Sequence, residues 1–381
     1  MKAFDFATAQ QILFGEGRSR ELAKHAKALG KKALLVTGKR PESQEILKEC
    51  LTGTGLASYD LTIHAEPSIE VIRAALADGE MEGCDLVIAM GGGSVLDSGK
   101  VMAAMLANGG DVLDYLEVVG LGRPLSKPSL PYIAIPTTAG TGSEVTRNAV
   151  LSASEHRVKV SMRSPYMLPS LAIIDPELSY SLSPALTAST GLDALTQCLE
   201  PFVSVAHNPL TDAIAFEGLA RAAHALEKAY HEPQHQKARH DMALASLCGG
   251  LALANAKLGA VHGFAGVLGA MLDAPHGDIC ARLLPIVTEA NISVLKDEAT
   301  LERYRLIAEC LTAKASATLT DLVDWLHTLN ERLGIRGLAS FGLEATMLDE
   351  IVTKSMQASS MKGNPVALTE NQLRAILIAA L

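Results

Sequence analysis

The chain has 381 residues, a formal net charge of −9, 48% hydrophobic residues and only 4% aromatic ones. That length gives one large or two ordinary domains, and the apolar share suffices for a substantial core. An acidic balance without a basic stripe excludes nucleic acid as an expected partner, and the scarcity of aromatics speaks against base stacking.

The segment Met1-Lys2-Ala3-Phe4-Asp5-Phe6 places an acid where a secretory signal needs its apolar run. No stretch approaches the ~18 uninterrupted apolar residues of a membrane span. The cysteines, Cys50, Cys84, Cys198, Cys248, Cys280 and Cys310, form no Cys-x-x-Cys pair. They read as buried, reduced thiols rather than a disulfide frame. A soluble cytoplasmic protein with no membrane association is expected.

The first half alternates strand-like and helix-like runs. Lys32–Thr37, ending at Gly38, reads as a strand, followed by helical patterns at Ser43–Thr52 and Ile69–Asp78. Asp85–Met90, ending at three glycines, Tyr132–Ile135, ending at Pro136, and Leu171–Ile174 read as further strands buried on both faces. Alternating β and α predicts a parallel sheet covered by helices over residues 1–180. From Ser183-Pro184, an N-cap followed by proline, the character changes. Asp193–Val203, Pro209–Tyr230, Arg239–Leu258, Glu298–Leu311, Thr318–Leu333 and Glu344–Ser355 are Ala/Leu-rich and helical in pattern. Residues 181–381 are therefore expected to form an all-α domain packed closely on the first.

Two loops carry the nucleotide signal. Gly91-Gly92-Gly93-Ser94 follows a strand and opens the helix Val95–Leu106, so backbone N–H groups and the helix dipole can meet a phosphate. Its spacing is neither G-x-G-x-x-G nor Walker A. The loop from Pro136 to Thr146 also follows a strand and supplies hydroxyls from Thr137, Thr138, Thr141, Ser143 and Thr146. Two such loops at the carboxyl ends of parallel strands would face one ligand crevice, which favours a dinucleotide. Gly38-Lys39-Arg40 follows the first strand without an acid and with two cations. That arrangement favours the 2′-phosphate of NADP(H), with NAD(H) as the alternative.

The second half carries a candidate metal set. Asp193 and Gln197 stand four apart, on one face of a helix. With His262 and His276 they supply a carboxylate, an amide and two imidazoles, which could close around a divalent cation. The amide of Gln197 is neutral and harder than imidazole, which predicts weaker metal retention. The remaining histidines, including His207, His224, His231, His235 and His240, read as loop or helix-surface residues, with His207-Asn208-Pro209 a helix start.

Gly91–Asp97, the 136–146 loop, Asp175-Pro176, Gly191–Thr196 and the two histidine motifs together resemble the iron-containing (group III) alcohol dehydrogenase family. The resemblance spans nearly the whole chain. It implies an α/β NAD(P)-binding domain and a helical metal-binding domain, a dehydroquinate-synthase-like architecture, with the cofactor in the cleft between them and a homodimer or larger assembly. It assigns Gly92, Gly93 and Ser94 to the pyrophosphate and Asp97, Thr137, Thr138, Thr141 and Thr146 to the cofactor, which the strand-end reading above also brings to Gly38. It places Lys159 near the nicotinamide ribose and makes Asp193, His262 and His276 metal ligands, with Fe²⁺ or Zn²⁺ expected. Gln197 stands where the family usually has histidine. Gly266 stands where many members have a second histidine linked to proton transfer, leaving ribose hydroxyls, Lys159 or water for the proton.

The reading that follows is an NAD(P)-dependent alcohol dehydrogenase or aldehyde reductase, in which a metal polarises the carbonyl toward hydride. The alternative within the superfamily is a metal-independent enzyme resembling maleylacetate reductases. A lyase resembling dehydroquinate synthase calls for a Lys/Arg phosphate cluster that the sequence does not show. A non-catalytic cofactor-binding protein is the remaining reading.

Overall fold

The computed structural model describes residues 3–381 except Ala65, Arg157 and Asp273. Met1 and Lys2, on which the leader reading partly rests, lie outside the described residues. The chain divides into two compact units. One comprises Ala7–Thr138 and Gly142–Tyr180. The other comprises Ser181–Leu381 with a few N-terminal residues and Ala139–Thr141. The 136–146 loop therefore contributes to both units, which a single cut after residue 180 does not anticipate.

The first unit is a parallel sheet of β1 (Ile12–Phe14), β2 (Lys32–Gly38), β3 (Ala57–Ile63), β4 (Leu86–Gly91), β5 (Tyr132–Pro136) and β8 (Leu171–Ile174), in the order β1-β8-β5-β4-β2-β3. A separate antiparallel hairpin joins β6 (Asn148–Ala153) and β7 (Val158–Arg163). The helices α1 (Leu22–Leu29), α2 (Pro41–Leu51), α3 (Ile69–Leu76), α4 (Gly93–Asn108) and the short α5 (Val112–Tyr115) belong to this unit. Both sheet faces are covered. Leu34, Val36, Val87 and Ala89 join one apolar cluster, while Leu35, Ile88, Met90 and Ile133 join another. Central parallel strands must be apolar on both faces, so their sequence runs are unbroken. β3 lies at an edge with only Ile63 buried, and β1 has three residues. Neither carries such a run, and neither is marked in the sequence.

The second unit contains α6 (Pro184–Val203), α7 (Pro209–His231), α8 (Gln236–Asn255), α9 (Ala260–Met271), α10 (His276–Val294), α11 (Glu298–Thr312), α12 (Leu319–Arg332), α13 (Leu348–Gln357) and α14 (Glu370–Ala380). Ser183 caps α6, its hydroxyl accepting from Leu186 N–H at 3.3 Å. Asn208 and Thr211 form a capping box at the start of α7. Residues Gly191 to Val203 of α6 are all buried, and the helix packs against α7, α8 and α10. A helix buried on every side can hold polar side chains only if they have partners, whether protein groups or a ligand. No single helix among the described residues is long and apolar enough to cross a membrane.

Candidate active site

In the α/β unit the two loops leave adjacent strands. Gly91, the last residue of β4, pairs with Pro136 of β5, and Thr137 N–H donates to the Gly91 carbonyl at 2.9 Å. Gly91 cannot carry a side chain, because a Cβ there would fall 2.6 Å from Val95. Gly92 then caps α4 without any side-chain capping bond. The leading N–H groups of α4, at Gly93 and Ser94, have no backbone partner among the described residues. Free N–H groups at the positive end of a helix dipole make an anion site suited to a diphosphate. Thr138 lies against Gly92, and Gly38 ends β2 beside Val95.

Other residues assigned to the cofactor have partners inside the protein. Asp97 accepts the Ser143 hydroxyl at 2.5 Å and the Val150 N–H at 2.9 Å. Thr146 is buried and its Oγ1 lies 2.9 Å from the Nζ of Lys100. That lysine, fully buried, also reaches Ser143 O at 2.8 Å, Ser143 Oγ at 3.0 Å and Asn148 O at 2.7 Å. Burial pulls Lys100 down to about 8 and pushes the buried Glu144 carboxyl up to about 7. Asp97, Lys100 and Thr146 thus brace the 143–150 segment from within. In the sequence, Lys100 registers only as a lysine at the wrong spacing for a Walker loop. Lys159, on β7, has its Nζ 2.5 Å from the Glu66 carboxylate.

In the helical unit the four metal-set positions come from three helices. Asp193 and Gln197 sit one turn apart on α6 and are 2% and 3% exposed. His262 lies in the first turn of α9, and His276 is the first residue of α10. Gly277 lets α10 start hard against α6, since a Cβ there would fall 2.3 Å from the Ser189 carbonyl oxygen. The two imidazole centroids are 5.5 Å apart. Cys280, one turn along α10 from His276, joins them and is fully buried. Donor atoms of Asp193, His262, His276 and Cys280 all lie within 4.8 Å of one another.

Hydrogen bonding shows what these donors lack. Gln197 Nε2 donates to Asp193 Oδ2 at 2.9 Å. Asp193 Oδ1 and Gln197 Oε1 are buried without a hydrogen-bond partner. His262 Nδ1 lies 2.6 Å from Glu200 Oε2, whose other oxygen accepts the Val261 N–H at 2.8 Å. A carboxylate only accepts, so the proton sits on Nδ1 and the Nε2 lone pair faces the cluster. That Nε2 is 3.3 Å from Asp193 Oδ1, a contact of two acceptors without hydrogen-bond alignment. Acceptors facing acceptors in a buried pocket require a positive charge between them. In the absence of a metal, protons can supply it. Burial lowers the His262 imidazole, but the charges of Cys280 and Glu200 and the nearby Asp193 outweigh it and hold its pKa well above the ordinary value. His276 is raised by Cys280 and Asp193 against the same burial. Burial raises the Asp193 carboxyl, and the two imidazoles outweigh it, leaving its pKa lowered.

The donor set also fits a divalent cation in size. Tetrahedral ligands at zinc distances stand about 3.3–3.8 Å apart. The cluster shows 3.3 Å and 3.9 Å from Asp193 Oδ1 to the two Nε2 atoms, and 3.6 Å and 3.9 Å from Cys280 Sγ to His276 and His262. The sequence reading does not single out Glu200, and it counts Cys280 only among the buried, reduced thiols. Glu200 follows Asp193 by seven on α6 and Cys280 follows His276 by four on α10, spacings that carry meaning only once α9 and α10 are known as helices. Gly266, one turn beyond His262, has open space around its Cα, and an added Cβ would meet nothing within 4 Å.

A parallel α/β unit with a glycine-led helix start and a helical unit with a buried carboxylate–imidazole cluster together make an enzyme of the α/β plus all-α class. The model of the iron-containing alcohol dehydrogenase family matches residues 9–176, and that of the family's C-terminal part matches residues 187–381. The chain belongs to the iron-containing alcohol dehydrogenase family. Alcohol dehydrogenase 4 of Saccharomyces cerevisiae (strain YJM789) is 37% identical over 373 residues, covering 96% of this chain and 95% of the relative. The crystal structure of 1,3-propanediol oxidoreductase superposes with a TM-score of 0.93 at 32% identity over 100% of both chains. Sulfoacetaldehyde reductase from Bifidobacterium kashiwanohense, solved with NAD⁺, gives 0.88 at 31% identity over 100% of this chain and 99% of that one. The protein is an oxidoreductase acting on CH–OH donors.

Proposed function

We propose that this enzyme interconverts an alcohol and its aldehyde with NADP(H) or NAD(H), using a divalent metal, Fe²⁺ or Zn²⁺, held by Asp193, His262 and His276. The observation that carries the metal is the group of buried acceptors facing one another, with Asp193 Oδ1 unpartnered. When bound, the cation supplies Lewis-acid polarisation of the carbonyl and the nicotinamide supplies the hydride. The chain's own residues bind, orient and brace. Glu200 fixes the tautomer of His262, and Gln197 holds Asp193 Oδ2.

For the cofactor, Gly92, Gly93 and Ser94 take the diphosphate, with Gly38, Thr137, Thr138 and Thr141 along its length. Asp97 and Thr146 shape that loop from inside. Lys159 serves the nicotinamide ribose. The basic pair Lys39 and Arg40 after β2 supports a 2′-phosphate and hence NADP(H). The open space at Gly266 leaves room for water to carry the proton that a histidine carries elsewhere in the family. The family resemblance supports a homodimer or larger assembly, and the free cysteines support the cytoplasm.

The test is nicotinamide turnover against a panel of aldehydes and alcohols, with each cofactor. Net, substrate-dependent oxidation of NADPH or NADH supports the proposal. Cofactor binding without turnover across the panel contradicts it.

A further inference from the structure

We infer that Cys280 is the fourth metal ligand of this enzyme, and that Gln197 is a positioning residue rather than a ligand. The inference rests on the metal-dependent reading above and departs from it in naming a sulfur donor. It starts from a geometric exchange within the cluster. The position one turn after Asp193 on α6, where the family usually places an imidazole, holds an amide. The position one turn after His276 on α10 holds a thiol. Both project into the same pocket.

Three observations favour the thiol. Cys280 is fully buried, with the Nε2 atoms of His276 and His262 at 3.6 Å and 3.9 Å from its sulfur and an Asp193 carboxylate oxygen within 4.8 Å. The buried Cys198, by contrast, has a backbone carbonyl within 3.5 Å, as a structural thiol does. Next, the Gln197 amide is committed through its nitrogen, while its Oε1, buried without a partner, offers only a neutral oxygen. Its Nε2 donates to Asp193 Oδ2, which turns Oδ1 toward the imidazoles and leaves that oxygen unpartnered in a buried pocket. Finally, the chemistry differs in strength. A thiolate adds a negative charge and a soft donor, while an amide oxygen adds neither. A set of one carboxylate, two imidazoles and one thiolate suits Zn²⁺ well and suits Mg²⁺ or Mn²⁺ poorly. The protons that the metal-free cluster holds pass to solvent as the metal binds, so binding is coupled to proton release.

Cobalt substitution reads this directly. Metal-stripped enzyme is titrated with Co²⁺, and the near-ultraviolet sulfur-to-cobalt charge-transfer band is recorded alongside metal content. The wild type is expected to take up cobalt with that band present. C280S should lose the band and weaken Zn²⁺ binding by more than the ~10–100-fold typical of outer partners. Q197A should keep the band and weaken binding within that ~10–100-fold range. Stoichiometric uptake by the wild type without a thiolate band overturns the Cys280 assignment and leaves metal dependence standing. Failure of the wild type to take up either metal overturns both. The wild-type spectrum decides the assignment without any variant, so a folding defect in C280S does not obscure it.

Discussion

Replacing Glu200 with glutamine tests the logic of the metal cluster at a residue that touches no substrate. Glu200 accepts two buried donors, the Val261 N–H at 2.8 Å and His262 Nδ1 at 2.6 Å. Glutamine has the same shape and one oxygen. If that oxygen keeps Val261, the amide NH₂ faces His262 Nδ1, which must then become an acceptor. The imidazole proton moves to Nε2, toward Asp193 Oδ1 at 3.3 Å. A proton then occupies the lone pair that a metal needs, and binding must first reverse the tautomer. E200Q should weaken Zn²⁺ binding ~10–100-fold, or about 1.4–2.7 kcal/mol. Competition against a chromophoric chelator at fixed pH measures this. Thermal unfolding of the metal-free form should change far less, because glutamine still fills the space and still bonds. Unchanged zinc affinity in E200Q would refute the proposed role of His262 Nε2.

Other substitutions probe separate parts of the account. G266A places a methyl in open space inside α9 and removes a helix-interior glycine, so urea unfolding should show a gain of about 0.5–1 kcal/mol; destabilisation would show that the space is not free. The buried Glu144 carboxyl has a folded pKa of about 7, above its ordinary 4.5, so the unfolded chain loses this proton first. Stability should therefore fall as pH rises from about 4.5 to about 7, by about 3 kcal/mol. E144Q should flatten that part of the profile, and an equal fall in E144Q would count against the assignment. R40A should raise the KM for NADPH about 10-fold while leaving NADH little changed; equal effects on both cofactors would remove the case for a 2′-phosphate contact.

What the sequence shows of this fold follows burial. β2, β4, β5 and β8 are flanked by neighbours and covered on both faces, so each is an apolar run with a glycine, proline or aspartate at or just after its end. β1 and β3 are edge strands, and β6 and β7 form a hairpin with partly exposed residues, so no run marks them. α9 and α10 carry the two histidine motifs yet resist recognition as helices. Glycines interrupt the first, and Pro275, Gly277 and Pro285 flank or interrupt the second. Without those helices, the one-turn relation between His276 and Cys280 is invisible, and a coordinating thiol passes for a structural one. Glu200 is hidden for a similar reason, because its role depends on α9 arriving beside α6. The nucleotide loop is legible in its glycines and less so in its support. The bracing by Asp97 and Lys100 is long-range, spanning more than forty residues of sequence.

The most direct test of the central claim is activity after metal removal. Enzyme purified without chelator, then stripped and assayed with NADPH and a competent aldehyde, should lose turnover while still binding the cofactor. Stoichiometric Zn²⁺ or Fe²⁺ should restore it. Full turnover in protein verified free of metal would contradict the account and favour the metal-independent alternative.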